Sequence, residues 1–178
     1  MYLSEINNTN KLVRYYDGCD GGKTGYTAEA GFCLASTAKR GAMRLISVII
    51  KATDSKTRFK EASEMFNYGF NNFKSKMVVD SAKPLDVTVR VERGDIAEAK
   101  IIPERDSFVF MKNNDNDKIT IDFSPSGVTA PLKSGDFVGE LIVFKNNIEC
   151  DRVRVVSLED IDKKSYFDYI KDISLKWN

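Results

Sequence analysis

The chain has 178 residues, enough for one ordinary domain or two small ones, and at 42% hydrophobic and 30% charged it reads as globular rather than disordered. A net charge of +1 gives no basic footprint, so no nucleic-acid partner is expected. Histidine is absent altogether, which excludes Ser-His-Asp and Cys-His catalysis and any histidine metal site; Cys19, Cys33 and Cys150 match no metal spacing and read as free or buried thiols, so no metal and no cofactor is expected.

Residues 1–16 are polar at first, with Asn7-Asn8-Thr9-Asn10 reading as loop and Lys11 to Tyr16 as a short strand or turn. Met1 to Asn7 has neither a basic n-region nor an apolar h-region, so no signal peptide is read in this chain. No apolar run approaches the roughly 20 residues that cross a bilayer.

Asp17-Gly18-Cys19-Asp20-Gly21-Gly22-Lys23-Thr24-Gly25-Tyr26-Thr27 is the chemically loaded stretch. Its glycines let the backbone approach something closely, and Lys23 adds a fixed positive charge. A phosphate loop would need glycine at position 17, where Asp17 stands, and a helix straight after the lysine. The residues that follow read instead as strands: Gly31 to Ala38, a turn at Lys39-Arg40-Gly41, and Met43 to Ile50. Nucleotide binding is therefore rejected. A Lys-Thr-Gly strand fits a different chemistry, in which lysine and threonine face the carboxylate of an extended peptide and glycine leaves room for it.

Leu45 to Ile50 is apolar on both faces apart from Ser47, which predicts cover on both sides. A helix follows, capped within Thr53-Asp54-Ser55, with Phe59, Ala62, Phe66, Phe70 and Phe73 as a core-facing stripe and Gly69 as a fraying point or cap near its end. From about residue 76 only strands are expected. Asp86 to Glu92 alternates, burying Val87, Val89 and Val91; Ser107 to Met111 and Lys118 to Phe123 flank a polar turn; Val138 to Phe144 and Ile148 to Val156 form a hairpin with a bulge near Asp151. Regular short strands of this kind predict a small β-sandwich. The tail is amphipathic, with Tyr166, Phe167, Ile170, Ile173 and Trp177 near one side of a helix. Such a face suits a membrane surface, and equally a helix docked on its own domain.

The runs Asn8-Thr9-Asn10-Lys11-Leu12 and Asp17 to Thr27, then Ala38-Lys39-Arg40 with Met43-Arg44-Leu45, Asn67-Tyr68-Gly69-Phe70 and Pro131 to Gly139, closely resemble the serine D-alanyl-D-alanine carboxypeptidases, the low-molecular-mass penicillin-binding proteins. The resemblance covers nearly the whole chain. It implies an extracytoplasmic cell-envelope enzyme that removes the terminal D-alanine of peptidoglycan stem peptides through an acyl-serine intermediate. It further implies acylation by β-lactams and membrane attachment through an amphipathic C-terminal segment, a role that residues 163–177 fit. Lys23, Thr24 and Gly25 would then bind the substrate carboxylate.

The departure from the family pattern is large. Its Ser-x-x-Lys nucleophile motif and its Ser-x-Asn motif precede Lys-Thr-Gly, and no Ser-x-Asn occurs here. Ser36-Thr37-Ala38-Lys39 matches the first by letters only: it lies in a strand, after Lys-Thr-Gly, where serine and lysine do not share a helix face. Ser36 is read as a decoy, and no catalytic residue is assigned. The expectation is an α+β fragment of a transpeptidase-like catalytic domain (1–75), an all-β sandwich domain (76–160) and an amphipathic segment (161–178). Both missing motifs are placed upstream of Met1, and the chain alone is expected to be inactive. Its sheet would expose an apolar face, to be covered by a second copy, a separate chain or local rearrangement. The competing expectation is a non-catalytic envelope module that binds cell wall, membrane or a partner through the β-domain and tail.

Overall fold

The computed structural model describes residues 8–166 and residue 168. It is mostly β, with two helices among the described elements. Contacts divide the chain into two units: one takes the residues up to Lys76 together with Phe110–Asp115, the other takes Met77–Val109 and the chain from Asn116 onward.

The first unit opens with a helical turn, α1 (Leu12–Tyr15), where a strand or turn was expected. The reason is local: the Asn10 side chain accepts the Leu12 amide at 3.1 Å, and Tyr16 N–H closes on the Leu12 carbonyl at 2.9 Å. Three antiparallel strands follow, β1 (Cys19–Thr27), β2 (Gly31–Arg40) and β3 (Met43–Ala52), hydrogen-bonded in that order. Then comes α2 (Ser55–Asn72), capped by Asp54.

Helix α2 packs on one face of this sheet. Ala62 and Phe66 meet Leu34, Ala38 and Ile49 in the core, with the Phe66 ring 5.3 Å from that of Tyr16. The expected cover on both faces of β3 is not found among the described residues. Ile46, Val48 and Ile50 are 69%, 55% and 72% exposed, because they project from the sheet face opposite α2 while Ser47 and Ile49 are buried. Gly69 is also not a cap. It is buried inside α2, where a Cβ would stand 2.4 Å from Leu45 Cδ1, so the missing side chain lets helix and sheet close together. Phe73 leaves the helical stripe as the C-cap of α2 and stacks its ring on Phe110, centroids 5.0 Å apart.

Strand β4 (Phe73–Val79) pairs with β7 (Ser107–Lys112), and the boundary between units falls across both strands. The second unit holds β5 (Thr88–Glu92), β6 (Glu98–Pro103), β8 (Ile119–Pro125), β9 (Val128–Thr129), β10 (Phe137–Lys145) and β11 (Ile148–Ser157). These six form one sheet in the order β8-β10-β11-β6-β5-β9, with β9 parallel to β5. Val89 and Val91 enter its core, but Val87 precedes β5 and is exposed, so two valines are buried rather than three. Val143 pairs with Asp151 and Phe144 with Glu149, which leaves Cys150 as the extra residue of a bulge. Ile161, fully buried, exchanges two backbone hydrogen bonds with Leu132, so the chain beyond β11 remains tied into this core.

Candidate functional site

Lys23, Thr24 and Gly25 lie in β1, an edge strand: β2 pairs with one side of it, and among the described residues no strand pairs with the other. Its approach is shaped by glycine. Gly22 has φ +124°, and a Cβ there would lie 2.1 Å from the Ala35 carbonyl oxygen, so only glycine lets β1 settle on β2 at this point. The Gly21 carbonyl is gripped from beneath by the Asn10 amide nitrogen at 3.0 Å and the Ser36 hydroxyl at 3.2 Å.

Successive strand residues face opposite ways, and the site divides accordingly. Lys23 sits opposite Ala35 and Thr24 opposite Leu34. Thr24 thus shares the α2 side of the sheet with buried Leu34, and Lys23 shares the face that carries exposed Val48. The Lys23 ammonium donates to the Thr24 carbonyl at 2.9 Å, folded along its own strand. The Thr24 hydroxyl meets the Thr9 hydroxyl at 2.8 Å.

Arg58, on the first turn of α2, is the charged group that sequence reasoning missed. It is nine-tenths buried and donates through Nη1 to the Gly25 and Cys33 carbonyls, each at 3.2 Å, and through Nη2 to Ser55. Its guanidinium lies over the rings of Phe32 and Phe59, its Nε has no hydrogen-bond partner, and no carboxylate pairs with it among the described residues. The available signal was an arginine at the i−4 position to Ala62, on the buried side of the helix. Nearby, Asp20 pairs with Arg44 at 2.7 Å and accepts from Thr37. Those partners, Arg44 first, hold its carboxyl down at about 2. Asp20 is thereby committed to Arg44.

Ser36 is fully buried in β2, bonded to Asn10 at 2.9 Å and to Gly21, and Lys39, three residues on along a strand, faces the other way. Of the tail candidates, Tyr166 is described and is 76% exposed. Phe167, Ile170, Ile173 and Trp177 lie outside the described residues. No described helix is long and apolar enough to cross a membrane.

The sequence model described as "Penicillin-binding protein 5, C-terminal domain" matches residues 73–163, just over half of the chain. The chain belongs to that family. The D-alanyl-D-alanine carboxypeptidase model matches residues 1–54, the stretch that holds Asn10, Lys23 and Thr24. Among curated relatives, the D-alanyl-D-alanine carboxypeptidase DacF of Bacillus subtilis is 28% identical over 96% of this chain and 44% of its own length. DacC of Escherichia coli is 32% identical over 93% of this chain and 42% of its own. Penicillin-binding protein 5 of Haemophilus influenzae superposes with TM-score 0.68 at 25% identity, over 86% of this chain and 46% of the other. The resemblance read from the sequence, to the low-molecular-mass penicillin-binding carboxypeptidases, therefore holds, and the relatives are named D-alanyl-D-alanine carboxypeptidases. The chain spans less than half the length of the curated relatives it matches.

Proposed function

We propose that this chain carries the substrate-carboxylate strand and the C-terminal β-domain of a peptidoglycan D-alanyl-D-alanine carboxypeptidase. The observation that supports it best is that Lys23-Thr24-Gly25 lies on a free sheet edge inside the span matched by the carboxypeptidase family. A stem peptide ending in D-Ala-D-Ala would add along that edge as an extra strand. Thr24 would donate to its terminal carboxylate, Lys23 would supply charge, and Gly25 would give clearance. The field of Arg58, buried behind Gly25 without an acidic partner among the described residues, adds to the attraction for an anion.

In this reading residues 1–75 are the C-terminal part of the catalytic domain, an α+β piece. Residues 76–160 form the β-sandwich domain, and 161–178 the amphipathic segment that meets the membrane surface on the extracytoplasmic side. Ser36 is not the nucleophile, and the acyl-serine chemistry and β-lactam acylation of the parent enzyme need a serine that this chain does not present. The exposed β3 face is the site of self-association.

Intact-protein mass after incubation with a labelled penicillin tests the catalytic half of the proposal. An unchanged mass is expected. Addition of one acyl group would overturn the assignment of Ser36, which would then be the first serine to replace.

A further inference from the structure

Thr9 sits in an exposed turn, yet its hydroxyl is placed on one particular atom. The turn is anchored by Asn10, which is 1% exposed. Asn10 spends every polar atom of its side chain internally: Nδ2 on Ser36 and the Gly21 carbonyl, Oδ1 on the Leu12 amide. Its own amide is fixed by Asn8 Oδ1 at 2.9 Å. One residue back along this locked backbone, Thr9 Oγ1 reaches Thr24 Oγ1 at 2.8 Å, across 15 residues of sequence. Threonine is stiff at χ1, so few alternatives exist once the backbone is set.

A hydroxyl has one proton to give. Between Thr9 and Thr24 either oxygen can be the donor. If Thr24 donates to Thr9, it has nothing left for a ligand. If Thr9 donates to Thr24, the Thr24 proton is free to point at the strand edge. A carboxylate is acceptor-only and selects the second arrangement, and the resulting chain of two hydroxyls is polarised toward the anion.

We propose that Thr9 is a positioning residue for carboxylate recognition: it holds the Thr24 side chain in one rotamer and, by donating to it, commits the Thr24 proton to an anionic ligand. This rests on the carboxylate-binding reading of Lys23-Thr24-Gly25. Asn10 is the anchor of the arrangement, and Thr9 itself touches Thr24 rather than the ligand.

The test uses the full chain as wild type, Thr9→Val and Thr9→Ser. Three-bond couplings from the Thr24 Cγ2 methyl to backbone nitrogen and carbonyl carbon report its rotamer without ligand. Titration with N-acetylated Lys-D-Ala-D-Ala, as the free acid and as the C-terminal amide, reports carboxylate preference. A single Thr24 rotamer is expected in wild type and Thr9→Ser, and an averaged one in Thr9→Val. The acid-over-amide preference should fall up to about tenfold in Thr9→Val, the weight of one hydrogen bond, and survive in Thr9→Ser. A Thr9→Val chain that keeps either the rotamer or the preference, or a Thr9→Ser chain that loses both, overturns the proposal. A wild type that does not distinguish acid from amide overturns the carboxylate reading itself, and the rotamer comparison then still decides whether Thr9 positions Thr24.

Discussion

The Ala35 carbonyl oxygen occupies the place where any side chain at Gly22 would begin, 2.1 Å from the ideal Cβ position. Its neighbour Ser36 Cα stands 2.7 Å from the same point. Both obstacles are backbone in the adjoining strand, so neither can swing aside, and the φ of +124° is itself open only to glycine. Gly22→Ala should therefore destabilise the first unit by about 2–4 kcal/mol, read by denaturant unfolding. A loss below about 0.5 kcal/mol would mean that β1 and β2 do not approach as described.

Arg58 connects α2 to the two strands of the candidate site. Replacing it with methionine keeps apolar volume over Phe32 and Phe59 but withdraws a charged donor from the Gly25 and Cys33 carbonyls. Arg58→Met should cost about 1.5–3 kcal/mol, the range for hydrogen bonds to charged groups. It should also raise amide exchange at Gly25 and Tyr26 more than at Leu34, which lies in the core. Arg58→Lys restores charge but not the planar fork and should fall between. Uniform exchange across the sheet would show that Arg58 supports the fold without locally bracing β1.

Asp54 gives the first unit an acid-sensitive helix start. Its carboxylate accepts the Thr57 hydroxyl and the amides of Lys56 and Thr57, and these bonds, the Thr57 hydroxyl foremost, hold it down at about 2. A depressed carboxylate contributes stability above its unfolded pKa of about 3.9, and that contribution drains away as pH falls through the folded value. Stability of wild type relative to Asp54→Asn should therefore be constant above about pH 5 and decline between about 4 and 2. Asp20 titrates in the same window in both proteins, so the difference isolates Asp54. A difference independent of pH would place the Asp54 carboxyl at its ordinary value.

The outward face of β3 is predicted to govern association. Ile46 and Val48 are more than half exposed and contribute little to the core beneath them. Ile46→Lys combined with Val48→Lys should leave unfolding midpoints nearly unchanged, each site within about 0.5 kcal/mol. Sedimentation velocity across a concentration series should show the wild type self-associating and the double variant remaining monomeric. Equal behaviour of the two would remove this face as the contact.

Alternation and punctuation in the sequence are enough to read most strands. Val89 and Val91, the β2–β3 hairpin about Gly41 and the bulge, expected near Asp151 and found one residue earlier at Cys150, all follow from period-two patterning and local turn chemistry. The helix start was legible to within Thr53-Asp54-Ser55, because capping is decided within four residues, and the structure selects Asp54. Lys23-Thr24-Gly25 stood out because its residue types, spacing and strand context occur together within one short stretch.

What the sequence could not decide was anything set by distance across the fold. Apolar residues on both faces of β3 predicted cover on both sides, but patterning reports only that a face is apolar, not that a partner sits on it. Gly69 reads as a helix end in one dimension and becomes a contact only when Leu45 is brought against it. Arg58, which the sequence reading passed over, matters only because folding sets it behind Gly25, and the Thr9–Thr24 bond spans a turn, a helix and part of a strand. Local chemistry determined which residues form the elements and which stretch is chemically loaded. Tertiary structure alone decided which of them meet, because hydrogen bonds and close packing act over a few ångströms between residues that the sequence holds far apart.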